Sequence, residues 1–285
     1  MQIKKYYTSG RTAISFEVFP PKKDSDLADI YKALKRMSNL SPDFISVTYG
    51  AGGGKNVGMT TEIASYIQQS FDICSIAHLT CIGASRESIR NLLELTKIKG
   101  VHNILALRGD LTEGNTNEGT YRYAEDLIHH IRNHGEFCIG AACYPEGHID
   151  CEDLTLDTRH LLRKQEAGAD FLISQLFFDN DYFYRFLERA RKGGITLPIS
   201  AGVMPILNRK QIERMIFLCG ASLPSGIIKL LHKYENKPDD LYRAGIEFAA
   251  KQISDLMTHG VDGLHIYTMN KPDIAEYFMK HIGKV

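Results

Sequence analysis

The segment His102-Asn103-Ile104-Leu105-Ala106-Leu107-Arg108-Gly109-Asp110 runs four apolar side chains in succession, then breaks into two opposite charges around a glycine. A strand with one wet face alternates apolar and polar residues, whereas a strand covered on both faces reads as a continuous apolar run, so this segment predicts a buried parallel strand. Seven other β-rich runs occur at residues 13–19, 44–49, 76–81, 137–144, 171–177, 198–204 and 263–269. Segments of helical period separate them, among them 25–37, 85–97, 121–134 and 182–192. Eight βα units in 285 residues fit a closed (β/α)8 TIM barrel of the α/β class better than an open doubly wound sheet, and residues 1–285 read as one domain. The seventh connection is longer, with helices expected near 210–218 and 239–259 around a break at Leu223-Pro224-Ser225-Gly226, which places an extra helix before the last strand. No Pro/Ser-rich linker, low-complexity tract or internal repeat interrupts the alternation.

Charge narrows the function classes. The 34 Lys+Arg balance 34 Asp+Glu, so no global field draws the chain to nucleic acid or to an anionic membrane, and no local basic cluster compensates. No window of about 20 apolar residues exists and the N-terminus lacks a signal-like apolar stretch, so a cytoplasmic location is expected. Six cysteines without a CxxC pair read as reduced thiols in a chain large enough to be stable without disulfides.

In such a barrel, chemistry collects at the C-terminal ends of the strands. Glu17, inside Ile14-Ser15-Phe16-Glu17-Val18-Phe19, stands out because an ionisable group within a strand is costly unless paired or used. A buried carboxyl there is expected to have a raised pKa, as a proton donor near neutrality requires; a structural Glu paired to Arg or to amides is the alternative. Arg108-Gly109-Asp110 closes the fourth strand, where glycine lets the backbone approach a ligand, or where the charges simply form a strand-ending salt bridge. Asp157, His160 and Lys164 share one helical face, which is either a solvated stripe or one turned toward a diphosphate. Gly50-Ala51-Gly52-Gly53-Gly54-Lys55-Asn56 fails as a Walker A loop because Tyr49 stands at its first glycine position and Asn56 at its Ser/Thr. No GxGxxG follows a strand, and His130 and His134 lack a third ligand nearby, so no metal site is expected.

The strand ends together resemble the methylenetetrahydrofolate reductase family, in its bacterial-type, catalytic-domain-only form. The similar blocks are SFEVFPP at 15–21, SVTYGA at 46–51, HLTCI at 78–82, ILALRGDL at 104–111, Tyr144–Glu146 with His148, SQLFFD at 174–179 and HIYTMN at 265–270. The resemblance implies FAD at the barrel mouth, reduced by NADH or NADPH, and hydride transfer to 5,10-methylenetetrahydrofolate to give 5-methyltetrahydrofolate in alternating half-reactions. It implies that Glu17 is the general acid that protonates N10 of the folate, and that Asp110 tunes the flavin and stabilises positive charge on the folate. Gln175 would bond the pterin or the nicotinamide, and Thr48, Gln211, Tyr267 and Lys271 complete the expected substrate contacts. Flavin contacts are implied at Thr48, Tyr49, Ala51, His78, Arg108, Gly109, Asp110, Tyr123 and Ala124. Further along the chain they are implied at Ala142, Tyr144, His148, Asp157, His160, Arg163 and Lys164, where the two last cations would neutralise the diphosphate.

The chain departs from the family pattern at four positions: Lys271 stands for an Arg, Met215 for an aromatic residue, His160 for an Asn and Cys143 for an Ala. Met215 keeps a second reading open, in which the same chemistry is fed by a partner flavoprotein or iron–sulfur subunit. A binding protein without turnover gives little reason for Glu17, and a Schiff-base aldolase would need a lysine inside a strand, which none of the eight runs contains. Because the chain ends soon after its eighth unit, no S-adenosylmethionine-sensing domain is expected. Relatives of this kind imply a homo-oligomer.

Overall fold

The computed structural model describes residues 2–21, 26–49, 57–110 and 120–284. Eight strands, β1 (Ala13–Val18), β2 (Phe44–Val47), β3 (Cys74–Thr80), β4 (Asn103–Leu107), β5 (Cys138–Cys143), β6 (Phe171–Ser174), β7 (Ile199–Val203) and β8 (Gly263–Tyr267), form a closed barrel in sequence order. All neighbours are parallel, and β8 closes on β1 through Ala13↔Gly263 to Glu17↔Tyr267. Helices α1 (Leu27–Ser38), α2 (Val57–Phe71), α3 (Arg86–Ile98), α4 (Ala124–His134), α5 (Leu154–Glu166) and α6 (Asn180–Lys192) fill the first six connections. The expected (β/α)8 architecture is therefore present.

The seventh connection differs from expectation. It holds three helices, α7 (Arg209–Cys219), α8 (Ser225–Lys233) and α9 (Pro238–Thr258), before β8 and the final helix α10 (Pro272–His281). The Leu223–Gly226 break is the start of α8, because Pro224 at φ −61° and ψ 148° is an extended cap with a ring that suits entry into a helix. The sixth β-run ends early, at Ser174, where the Gln175 side-chain oxygen accepts from Leu176 N at 2.8 Å and turns the chain out of the sheet.

Strand parity sorts the side chains into two cores. One set packs between barrel and helices; the other, including Phe44, Ile76, Leu105, Cys138, Phe171 and Ile173, fills the barrel interior. A short 3-10 helix at Ile3–Thr8 seals the N-terminal end: Ile3 is fully buried there and its N–H donates to Asn103 Oδ1 at 3.0 Å. With that end plugged, the barrel opens at the C-terminal ends of its strands.

Gly202 marks a tight point of the interior. A Cβ there would lie 2.4 Å from Ser174 O and 2.9 Å from the Tyr267 ring and hydroxyl, which donates to the same Ser174 O at 2.9 Å. Gly202→Ala is expected to cost about 1–3 kcal/mol by overpacking. Chemical denaturation checks it, and an unchanged midpoint would mean that Tyr267 swings aside freely.

Candidate functional site

Glu17 sits at the open end of β1 with a side chain 17% exposed, half-sequestered as its strand position dictates. Its Oε2 accepts from Ser46 Oγ at 3.4 Å and lies 3.2 Å from His265 Nε2 and 3.7 Å from His78 Nε2. Behind this layer, His78 Nε2 meets Ser46 Oγ at 3.1 Å, and His265 Nδ1 meets Ser15 Oγ at 2.7 Å. Ser46 has one proton; when it donates to Glu17, it accepts from an Nε2–H of His78. Likewise, when Ser15 donates to Leu264 O (3.1 Å), its lone pair takes His265 Nδ1–H, and a proton is then shared between His265 Nε2 and Glu17 Oε2.

The expected rise of the Glu17 pKa is overturned. Desolvation pushes it up, but the hydrogen bond from His265, the nearby His78 and His265 charges and the Ser46 hydroxyl outweigh it and hold the carboxyl below its ordinary value. His78 moves the same way for a different reason: burial without enough compensating charge lowers it from 6.5 to about 4, so its ring is neutral at pH 7.

Because the folded-state pKa of His78 is depressed, the unfolded chain binds more protons between pH 6.5 and 4. Its contribution to stability is complete above pH 6.5 and is lost as pH falls toward 4, by up to about 3 kcal/mol. Glu17 adds a loss of the same sign below its ordinary value. Urea midpoints measured across this window should fall for the wild type and stay flatter for His78→Gln; parallel curves would refute the assignment.

The backbone around Glu17 is fixed from β8. Thr268 Oγ1 donates to Glu17 O at 2.7 Å, while the Asn270 side chain both accepts from Phe19 N and donates to Phe19 O, each at 2.9 Å. Met269 and Asn270 are left-handed at φ 55° and 56°, a strained pair of the kind that functional loops hold in place.

A second feature opens at the ends of β4 and β5, a cleft of about 560 Å³. Its lining includes Arg108, Tyr123, Ala124, Ala142, Tyr144, His148, Asp157, His160, Arg163 and Lys164, so the helical stripe faces a cavity. Gly109, at φ +91°, turns the chain where a Cβ would meet Ile82 Cγ2 at 2.8 Å. Arg108 is paired with Asp150 of the loop after β5 at 2.8 Å rather than with Asp110, and it also lines the cavity. Tyr144 and His148 stack edge to face at 4.6 Å; burial raises the tyrosine pKa, while burial and the Arg108 charge lower that of the histidine.

Lys164 is the electrostatic signature of the cleft. It is half-buried, and its Nζ donates to Ala142 O at 2.8 Å and sits 5.5 Å from the Tyr144 ring centroid. Among the described residues no carboxylate lies within 4.0 Å of it. Desolvation lowers its pKa, partly offset by the Asp157 charge. Arg163 nearby is exposed and only loosely paired with Glu125, at 3.9 Å.

Other expected contacts are distributed differently. Ala51 lies outside the described residues, as does the glycine-rich run 50–56. Asp110 is exposed just past β4, outside the lining of the cleft. Gln211 accepts from Leu207 N at 2.8 Å and donates to Pro205 O at 3.3 Å, within its own loop. Gln175 keeps its oxygen on Leu176 N, Tyr267 spends its hydroxyl proton on Ser174 O, and Lys271 lies 5.0 Å from the Tyr242 ring centroid. Thr48 and Tyr49 are half-buried at the mouth beyond β2. His78 belongs with Glu17 rather than with the cleft lining. Sequence reading missed His265, Ser15 and Ser46 as partners of Glu17. The signal was their parity, since each is a polar residue on an inward-facing register position beside Glu17 or two residues before it.

Known proteins share this arrangement of elements. Residues 2–283 match the family model described as methylenetetrahydrofolate reductase. The chain is 35% identical over 299 residues to methylenetetrahydrofolate reductase (NADH) 1 of Arabidopsis thaliana, covering 100% of this chain and 50% of that protein. It is 33% identical over 275 residues to 5,10-methylenetetrahydrofolate reductase of Pectobacterium carotovorum subsp. carotovorum, covering 96% and 91%. The chain thus spans about half the length of its plant relatives and most of the bacterial one. A solved structure of an uncharacterized protein from Clostridium thermocellum, described as binding two copies of 5-methyl-5,6,7,8-tetrahydrofolic acid, shares the fold at a TM-score of 0.72, with 16% identity over 98% of each chain. With the family model matching almost end to end on a closed eight-stranded barrel, the chain belongs to the methylenetetrahydrofolate reductase family.

Proposed function

We propose that the chain is an oxidoreductase that reduces 5,10-methylenetetrahydrofolate to 5-methyltetrahydrofolate with FAD as its bound cofactor and NADH or NADPH as donor. The observation that carries this reading is Lys164: a half-buried ammonium without a carboxylate partner within 4.0 Å among the described residues, facing a cleft of about 560 Å³. A desolvated cation is costly unless an anion completes it, and a cleft of this size suits a nucleotide cofactor. Lys164, Arg163 and Arg108 would hold the diphosphate of FAD, and the Tyr144–His148 and Tyr123–His160 ring pairs would flank its apolar parts. When bound, FAD supplies a two-electron hydride relay between nicotinamide and folate.

The chain's own task is to move a proton and to position the folate. Glu17 Oε2 would deliver its proton to N10 of the folate, breaking the C–N10 bond of the five-membered ring and leaving an electrophilic N5-iminium carbon. His265, fixed by Ser15, would relay that one proton from Nε2 to Glu17 Oε2, 3.2 Å away, before the carboxyl gives it to N10. This route lets Glu17 act as the acid although its pKa is lowered, because the proton would reach the carboxyl through His265. Asp110, exposed beyond β4, would approach the reacting rings once substrates fill the mouth. Free thiols at all six cysteines suit the reducing interior of a cell.

The test is anaerobic. Purified protein should be yellow; NADH or NADPH should bleach its flavin in a stopped-flow trace, and methylenetetrahydrofolate should restore the colour. Protein unable to retain FAD would overturn the proposal. Met215, packed in an apolar cluster with Leu176, Met204 and Ile212, presents no aromatic face to a nicotinamide and favours the partner-fed reading. Reoxidation by folate without reduction by either nucleotide would establish that second reading.

A further inference from the structure

Three side chains at the lip of the cleft are brought together by one loop–helix junction: Cys151 from the loop after β5, and Asp157 and His160 from the first two turns of α5. Their Sγ, carboxylate oxygen and ring nitrogen all lie within 4.8 Å of one another, and all three residues are half-buried. Asp157 and His160 stand at i and i+3 on one helix face, which fixes their separation, and His160 is stacked with Tyr123 at 6.3 Å between centroids, which limits the swing of its ring. The Cys151 thiol makes a single bond to the backbone, donating to Asp153 O at 3.4 Å, and it can trade that bond without unsatisfying a buried side chain.

We propose that Cys151, Asp157 and His160 form a binding site for a thiophilic divalent cation of the zinc class. One sulfur, one imidazole nitrogen and one carboxylate oxygen are the donor types zinc selects, whereas magnesium and calcium take oxygen ligands. With zinc–ligand bonds of about 2.0–2.3 Å, the donor atoms of a tetrahedral site stand about 3.3–3.7 Å apart, so side-chain rotation of roughly 1 Å closes the site. As the Sγ–metal bond forms, the thiol proton leaves to solvent; thiolate and carboxylate then balance the dication and leave the site electrically neutral. Neutrality matters because Arg108, Arg163 and Lys164 line the same cleft and would repel an uncompensated cation. The fourth ligand position is left to water on the cleft side, the pattern of an open rather than a structural zinc site.

One consequence rests on the proposed function: Asp157 and His160 border the space assigned to the FAD diphosphate, so metal and cofactor exclude one another. The site would make loading of the cofactor sensitive to free zinc.

The experiment uses the full chain freed of any flavin and titrated with Co²⁺, whose bond to a thiolate gives a near-ultraviolet charge-transfer band. One equivalent is expected to bind and to be displaced by Zn²⁺ but not by Mg²⁺. Cys151→Ser should abolish the band, and His160→Asn should weaken cobalt affinity by more than about tenfold, a loss that even an outer partner of a metal site produces. Cys219→Ser, which alters the other half-buried thiol, should leave the band intact. Absence of the band in the wild type, or its persistence in Cys151→Ser, overturns the site whatever the flavin result. Protein that binds cobalt through Cys151 yet takes up no FAD overturns the functional reading alone, and protein that binds both at once overturns their mutual exclusion.

Discussion

Glu17→Gln is expected to slow reoxidation of the reduced flavin by methylenetetrahydrofolate by about 10²–10⁴-fold, the usual worth of a positioned general acid. Glutamine keeps the shape of the side chain, and its oxygen still accepts from Ser46 and faces His265, so the histidine-serine layers remain built. What it lacks is a proton to surrender to N10. Reduction of the flavin by NADH or NADPH involves no such transfer and should change little, so the two half-reactions separate the chemical role from a structural one. Equal loss in both half-reactions would make Glu17 a positioning residue, and retention of both would remove it from the mechanism. His265 bears on the same experiment, since its Nε2 lies 3.2 Å from the carboxylate that the substitution replaces.

Lys164→Met is expected to weaken FAD binding by about 10–100-fold, since a hydrogen bond between charged partners contributes roughly 1.5–3 kcal/mol. The informative feature is the opposite sign in the absence of cofactor. Lys164 is desolvated with no carboxylate within 4.0 Å among the described residues, so replacing it with an apolar side chain of similar length removes a cost and leaves only Ala142 O without its donor. Thermal stability of the cofactor-free variant should therefore equal or exceed that of the wild type, whereas the gain in melting temperature on adding FAD should shrink. A variant that melts early and still binds FAD normally would show that the ammonium supports the fold and not the ligand. Equilibrium titration of flavin fluorescence supplies the affinity, and two melting curves supply the sign.

The strands were legible because burial on both faces leaves a mark that periodicity can detect. Residues 104–107 and 263–266 are apolar or inward polar in an order that only a covered parallel strand explains, and the barrel closes in the order the eight runs imply. Helices with a clear stripe, such as α6 between Asn180 and Lys192, were visible for the same reason. The seventh connection was misread at Pro224 because proline both ends and begins helices; which role it takes depends on whether apolar residues beyond it, here Ile227, find a core to enter.

The site was legible by residue type but not by partnership. Glu17 announced itself as an acid in an apolar strand, and Lys164 as a cation on the same face as Asp157. The sign of the Glu17 shift could not be read, since it depends on whether desolvation or its neighbours wins, and His265 reaches it from 248 positions away. The bonds of the Gln211 side chain to Leu207 N and Pro205 O were likewise invisible in the sequence.

Local order along the chain set the parallel strands, their barrel sequence and the end at which polar groups gather, because burial periodicity is written in neighbouring residues. Tertiary closure alone set the electrostatics: it placed His78 and His265 on either side of one carboxylate, and left Lys164 facing a cavity with no carboxylate within 4.0 Å among the described residues. Charge interactions act through space over a few ångströms, and only the folded chain defines which residues lie that close.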